Sequence, residues 1–129
     1  MSNGIQNDKK YDLSKRTLEF SKNLIALLKK IPKDTISIPI ISQCTRSGTS
    51  IGANYAEADC AESKKDFEHK LGICKKESKE TEYWLKTLSF IIPDLTADIQ
   101  PLIQETIEFQ LIFVSIINKS KQNPLVIRN

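Results

Sequence analysis

Few side chains in this 129-residue chain are of the types that nucleophilic or metal-assisted catalysis requires. His69 is the single histidine, and its neighbours on a predicted helix, Lys65, Glu68 and Lys70, do not give a metal-ligand spacing. No glycine-rich phosphate loop, Gly-x-Ser-x-Gly elbow or paired Glu-x-x-His motif occurs. We therefore expect a protein that is not an enzyme and has no catalytic residue, metal or cofactor.

Polar residues with helical spacing form a second pattern. Glu77 and Glu80 are close enough to act as a catalytic pair, but glutamates at this spacing are more often structural or solvated. If Arg46 is buried, these carboxylates are its obvious partners, because a buried guanidinium without one is strongly destabilising. We predict a structural polar network that fixes the register of the helices and consists of Gln43, Arg46, Asn54, Glu57, Glu77 and Glu80.

Lysines recur in rows on two predicted helices and are candidate phosphate contacts. Such rows bind nucleic acid without sequence preference and with strong dependence on salt. The alternative is that these lysines belong to ordinary solvated helix faces. Two observations favour it: Glu19, Glu68 and Glu82 interrupt the rows, and Arg16 is one of only two arginines expected to be exposed. The candidate contacts are Lys15, Lys22, Lys29, Lys30, Lys75 and Lys79.

The elements that position these residues are predicted to be helices of one domain. Hydrophobic residues make up 40% of the chain and charged residues 27%, while four glycines are few for an all-β fold. No apolar run approaches the roughly 20 residues of a membrane span. Cys44, Cys60 and Cys74 form no CxxC pair, so we expect buried or half-buried thiols and a cytoplasmic location without membrane contact.

Apolar side chains at steps of three and four predict four helices over about 12–31, 37–58, 63–91 and 96–119. Asp12 and Ser63 are predicted N-caps, and Pro32 and Pro93 end the helices that precede them. Short connections favour an all-α, antiparallel up-and-down four-helix bundle over residues 12–120. Residues 1–11 and 121–129 are expected to be flexible segments.

Two glycines lie four residues apart inside the second predicted helix. Gly48 and Gly52 each cost on the order of 1 kcal/mol relative to alanine in a helix interior. The close approach of a neighbouring helix would offset this cost, so we predict such a contact.

The fourth predicted helix is apolar over an arc of roughly 260° at 100° per residue. A bundle helix needs less than this to seal its own core, so we expect the surplus to be covered by another copy of the chain. Cover by the protein's own loops or tail is the alternative. The interface candidates are Phe109, Ile112, Phe113 and Ile116.

Motifs on three of the predicted helices resemble those of the four helix bundle proteins, also called 23S rRNA intervening-sequence proteins. They are Tyr11-Asp12-Leu13, Gln43-x-x-Arg46-Ser47 with Asn54-x-x-Glu57-Ala58, and Lys76-Glu77-x-x-Glu80-Thr81-x-x-Trp84-Leu85. The resemblance implies a left-handed bundle that forms a homopentamer with a central opening. It also implies a kinship with accessory proteins of diversity-generating retroelements, in which a basic pentamer contacts nucleic acid and a reverse transcriptase.

Two functional hypotheses follow from the sequence. The first is an oligomeric module that binds RNA or DNA, with a partner protein as a further possibility. The second is a protein-interaction scaffold that does not bind nucleic acid. Affinity that falls steeply with salt distinguishes the first from the second.

Overall fold

The computed structural model describes residues 12–122, and this part of the chain forms four α-helices and no strand. A 3₁₀ turn, Pro93–Leu95, separates the last two helices. The predicted flexible segment 1–11 and residues 123–129 of the predicted tail lie outside the described residues. The helices are α1 Leu13–Leu28, α2 Ser37–Asp59, α3 Lys64–Ile91 and α4 Thr96–Gln122.

Each helix packs against the next one along the chain, and α1 also contacts α4, which closes the ring. Residues near the start of one helix contact residues near the end of its neighbour, so neighbouring helices are antiparallel. For example, Ser89 and Thr96 meet at one end of α3 and α4, while Glu68 and Ser120 meet at the other. The predicted all-α four-helix bundle is confirmed, with α1 and α3 on one diagonal. No helix within residues 12–122 is long and apolar enough to cross a membrane.

Local capping explains where the helices begin. The Asp12 side chain accepts a hydrogen bond from the Lys15 backbone N–H at 3.2 Å, and Ser63 accepts one from Asp66 at 3.0 Å. Asp34 accepts from the backbone N–H of Ser37 at 2.8 Å, and this hydrogen bond lowers the pKa of Asp34. These carboxylates and hydroxyls satisfy N–H groups that the first helical turn leaves without a partner.

Two helix ends differ from the sequence prediction by three residues. Helix α1 stops at Leu28 rather than 31, because the chain tightens there into a turn in which the Ile31 N–H donates to the Leu28 carbonyl at 3.2 Å. Helix α4 continues to Gln122 rather than 119. Its last turn is held by the buried Ser120, whose hydroxyl donates to Glu68 at 2.6 Å.

The two glycines of α2 lie against α1, as the sequence analysis predicted. A Cβ on Gly48 would lie 2.1 Å from Cδ2 of the fully buried Leu24, and a Cβ on Gly52 would lie 3.0 Å from the Thr17 hydroxyl oxygen. Both separations are shorter than normal contacts, so a side chain at either position would require Leu24, Thr17 or α1 itself to shift. The absence of a Cβ at both positions allows the close packing of α1 on α2.

The structure corrects the predicted oligomer interface on α4. Phe109 and Phe113 are fully buried inside this chain, where Phe109 packs edge-on against Phe20 and Phe113 lies beside Tyr55. Their rings fill the space between α4 and its neighbouring helices in the same chain. Sequence periodicity alone had predicted that a second copy would cover these side chains. Ile112 and Ile116 are half-buried against the same core, and their role in an interface stays a prediction.

The glycine contacts give a test with a matched control. Gly48→Ala should lower the free energy of unfolding by up to about 2 kcal/mol, because overpacking against Leu24 outweighs the gain in helix propensity. Gly72→Ala on α3, where a Cβ would meet nothing within 4 Å, should raise it by about 0.5–1 kcal/mol. Urea denaturation followed by circular dichroism measures both, and equal effects would contradict the packing role of Gly48.

Candidate nucleic-acid interface

The glutamates of α3 that face α2 are held by Arg46. One guanidinium nitrogen donates to Glu77 at 3.3 Å and another donates to Glu80, which also accepts from the Trp84 indole N–H at 2.9 Å. These hydrogen bonds, first from Arg46 and then from Trp84, lower the pKa of Glu80. Glu77 is buried, whereas Arg46 is 49% exposed, so the network sits at the edge of the bundle rather than inside it.

The predicted polar network is smaller in the structure than in the sequence analysis. Gln43 accepts a hydrogen bond from Arg46 at 3.4 Å and belongs to it. Asn54 donates instead to the Ser50 carbonyl of its own helix, and Glu57 pairs with Lys70 at 2.7 Å. Asn54 and Glu57 lie two and three turns further along α2, beyond the reach of Arg46, which is why the structure separates them.

The glutamate of α3 that faces α4 is also engaged within the bundle. Glu82 is buried and accepts a hydrogen bond from the Gln110 side chain of α4 at 2.8 Å. Lys86 and Lys79 approach its carboxylate at 2.8 and 3.8 Å. The hydrogen bond from Gln110, followed by that from Lys86, lowers the pKa of Glu82.

The remaining charges of this part of α3 point outward. We call this surface the α3 face; at 100° per residue its members span about 100° of the helix circumference. Its four lysines are exposed, and so are two aromatic rings, of which Tyr83 is 62% and Phe90 is 84% exposed. The α3 face consists of Lys75, Lys76, Lys79, Tyr83, Lys86 and Phe90.

The predicted lysine contacts do not form one surface. Lys15, Lys22 and Lys29 are exposed along one side of α1, and Lys30 lies 3.9 Å from Asp98 of α4. Because α1 and α3 are diagonal in the bundle, this row and the α3 face point in different directions.

An ion cluster that the sequence analysis missed joins α1 to α4. Arg16, which was predicted to be exposed, donates to both carboxylate oxygens of Glu105 at 2.7 and 2.8 Å and to Glu108 at 2.7 Å. Its guanidinium carbon also lies 5.4 Å from the Phe109 ring centroid. The sequence contained a signal for this cluster: Glu105 and Glu108 lie three residues apart on the narrow polar side of the fourth predicted helix, opposite its apolar arc.

The open groove beside this cluster is unsuited to a polyanion. Four carboxylates line it against two cations, Lys15 and Arg16, and Arg16 is already paired. Within residues 12–122, no group of three or more metal-ligating side chains is placed to hold a metal ion. The carboxylates of the groove are Asp12, Glu19, Glu105 and Glu108.

The cysteines do not form a reactive site. Burial raises the pKa of both Cys44 and Cys74 to about 12, so both stay protonated thiols near neutral pH. Cys60 is exposed, which corrects the prediction of three buried or half-buried thiols, because it caps α2 outside the core. All three are free thiols.

The fold and these clusters define an antiparallel four-helix bundle whose ion pairs join neighbouring helices. The model of the family described as 23S rRNA-intervening sequence protein matches residues 9–111, and the chain belongs to this family. The chain is also similar to the crystal structure of a protein of unknown function from the S23 ribosomal protein family of Bacteroides thetaiotaomicron. That comparison gives a TM-score of 0.73 and 36% identity over 81% of this chain and 96% of the other. No curated protein matches the chain.

The Arg16 cluster predicts unequal coupling between two ion pairs that join the same helices. A double-mutant cycle with Arg16→Met and Glu105→Gln should give a coupling free energy of about 1–2 kcal/mol, because the pair is bidentate and partly buried. The cycle for Lys30 and Asp98, exposed and 3.9 Å apart, should give less than about 0.5 kcal/mol. Urea denaturation supplies the free energies, and equal couplings would contradict a closing role for Arg16.

Proposed function

We propose that this protein is a non-catalytic, homo-oligomeric adaptor of the cytoplasm that binds nucleic acid through the α3 face. The observation that carries the proposal is the division of charge on α3. Glu77, Glu80 and Glu82 are engaged within the bundle, while four lysines stay on the outside. A helix of mixed sequence charge therefore presents a mainly basic surface.

Phosphates recognise such a surface through charge alone. Each lysine that neutralises a phosphate releases counterions, so affinity falls as salt rises and does not depend on base sequence. Among residues 12–122, Lys75 and Lys76 form no ion pair within 4 Å, although the charge of Lys76 contributes to lowering the pKa of Glu80, and Lys79 has only the 3.8 Å contact with Glu82. These three lysines are the most available cations of the α3 face.

Self-association is supported by exposed aliphatic side chains on the side formed by α1 and α2. Leu18 and Ile25 project from α1 and Ile38 projects from α2, and each is at least 40% exposed. Large apolar side chains on one side of a surface favour cover by another protein surface. We place the contact between copies here rather than at the buried Phe109 and Phe113, and five copies is the number that the family resemblance implies.

A cytoplasmic location is supported by the three free cysteines, one of which is exposed. Reducing compartments keep such thiols unpaired. The two buried thiols lie in the core, where an apolar cysteine behaves as a small hydrophobic side chain.

The second candidate function is a protein scaffold that does not bind nucleic acid. Four exposed aliphatic residues favour it, because aliphatic side chains offer a phosphate neither a charge nor a hydrogen bond. They are Leu18, Ile25, Ile36 and Ile38. Under this hypothesis the lysines of the α3 face only keep the protein soluble, and no nucleic acid binds at any salt concentration.

Two triple variants of equal charge test the binding proposal. Replacing Lys75, Lys76 and Lys79 with glutamine should weaken the binding of a generic RNA at least tenfold at about 50 mM salt and should flatten the salt dependence. The control variant replaces Lys15, Lys22 and Lys29 with glutamine and should weaken binding less than threefold. Fluorescence anisotropy measures both; equal losses would show that net charge matters rather than the α3 face, and no binding by the wild type would favour the scaffold.

A second test concerns self-association. By light scattering, the wild type should have a mass several times that of one 14.6 kDa chain at both low and high salt. Leu18→Asp combined with Ile25→Asp should lower that mass, because a charge at either position would be buried without a partner in the contact. Leu111→Asp, at a still more exposed position on α4, should leave the mass unchanged. A monomeric wild type would contradict the proposed self-association.

A further inference from the structure

We infer that the α3 face binds single-stranded nucleic acid by stacking unpaired bases on Tyr83 and Phe90. This inference rests on the proposed function, because it assumes that phosphates contact the same face. The lysines account for phosphate contact, but they do not account for two exposed aromatic rings among them.

The two rings lie on one line along the helix. Tyr83 and Phe90 are seven residues apart, which is about two turns and about 10.5 Å along the axis. They are 62% and 84% exposed, and two lysines of the same face flank Tyr83 in sequence: Lys79, and Lys86, which also pairs with Glu82. Basic side chains interleaved with exposed rings are the arrangement that binds single strands, since phosphates meet the charges and bases meet the rings.

A chain of side-chain contacts restricts the motion of the Tyr83 ring. Its ring packs edge-on against Trp84 with 5.0 Å between centroids, and the Trp84 indole N–H donates to Glu80. Glu80 is held in turn by Arg46 of α2. The ring is therefore partly ordered before a base arrives, which lowers the entropic cost of stacking.

Ring contacts of this kind require unpaired bases. In a duplex the bases stack on each other and present only their edges in the grooves, whereas the bases of a single strand are free to turn outward onto a protein ring. At a stacked spacing of about 3.4 Å per nucleotide, the two rings would meet bases about three nucleotides apart, and fewer in an extended strand. The α3 face thus fits a short single-stranded stretch.

The experiment compares three probes of equal length: a labelled RNA single strand, the same strand with abasic sites throughout its centre, and the corresponding duplex. At about 50 mM salt, the wild type should bind the intact strand at least fivefold more tightly than the abasic strand or the duplex. Tyr83→Leu combined with Phe90→Leu keeps an exposed apolar side chain at each position and removes the ring. This variant should bind the intact strand at least fivefold more weakly and the abasic strand as the wild type does.

A control variant and a second signal complete the test. Leu111→Ala, at an exposed apolar position on α4, should leave all three affinities unchanged. Trp84 is the single tryptophan and contacts Tyr83, so the intact strand should quench its fluorescence and the abasic strand should not. Salt-sensitive binding with equal affinity for intact and abasic strands would overturn the stacking while the proposed function stands. No binding of any probe would overturn both.

Discussion

The arrangement of this bundle depends on the close packing of α1 against the two glycines of α2. Leu24 occupies the space that a Cβ on Gly48 would take, and it is fully buried there. This contact lets α1 approach α2 closely, and on another side of α1 Arg16 reaches α4. The contact between α1 and α4 is the least extensive of the ring, and Arg16 supplies it with directed bonds to two glutamates. A helix that sat further out would not bring this guanidinium within hydrogen-bonding distance of Glu105.

A second constraint acts on α3, which packs extensively against both α2 and α4. A helix between two neighbours has two flanks, one beside each neighbour, where the buried core gives way to solvent. In α3, glutamates occupy both flanks. Arg46 pairs with the two glutamates on one flank, and on the other flank Glu82 accepts a hydrogen bond from Gln110 and pairs with Lys86. Pairs of this kind contribute little net stability because desolvation opposes attraction, but they disfavour other registers of the helices. They also leave the third side of α3 with an excess of lysine, so one set of contacts fixes the register and shapes the exposed surface.

Features set by neighbours in sequence could be predicted from the sequence, whereas few of those set by neighbours in space could, chiefly the helix contact at the α2 glycines and the pairing of Arg46 with Glu77 and Glu80. Asp12 and Ser63 begin helices because each caps N–H groups within three residues, and α3 ends just before Pro93 for an equally local reason. The glycines of α2 were informative because their cost demands compensation by a nearby helix. The burial of Phe109 and the pairing of Arg16 depend instead on how far each helix is rotated about its axis. Helical periodicity gives the width of an apolar arc but not how much of it two neighbouring helices cover, and large rings let α4 use more of its arc inside the bundle.

The geometry of the bundle relates the proposed self-association to the proposed binding surface. Leu18 and Ile25 project from α1, and the α3 face belongs to the helix diagonal to α1. A ring of copies joins two different patches of each subunit, so the side formed by α1 and α2 would meet a second patch on the neighbouring copy, and the proposed binding requires that this second patch exclude the lysines and rings of α3. A net charge of +3 per chain is modest, but repeated faces on one assembly raise the effective concentration of each for the same strand. Weak contacts at each α3 face would then add up to firm binding of a long strand, whereas an isolated subunit would release it quickly.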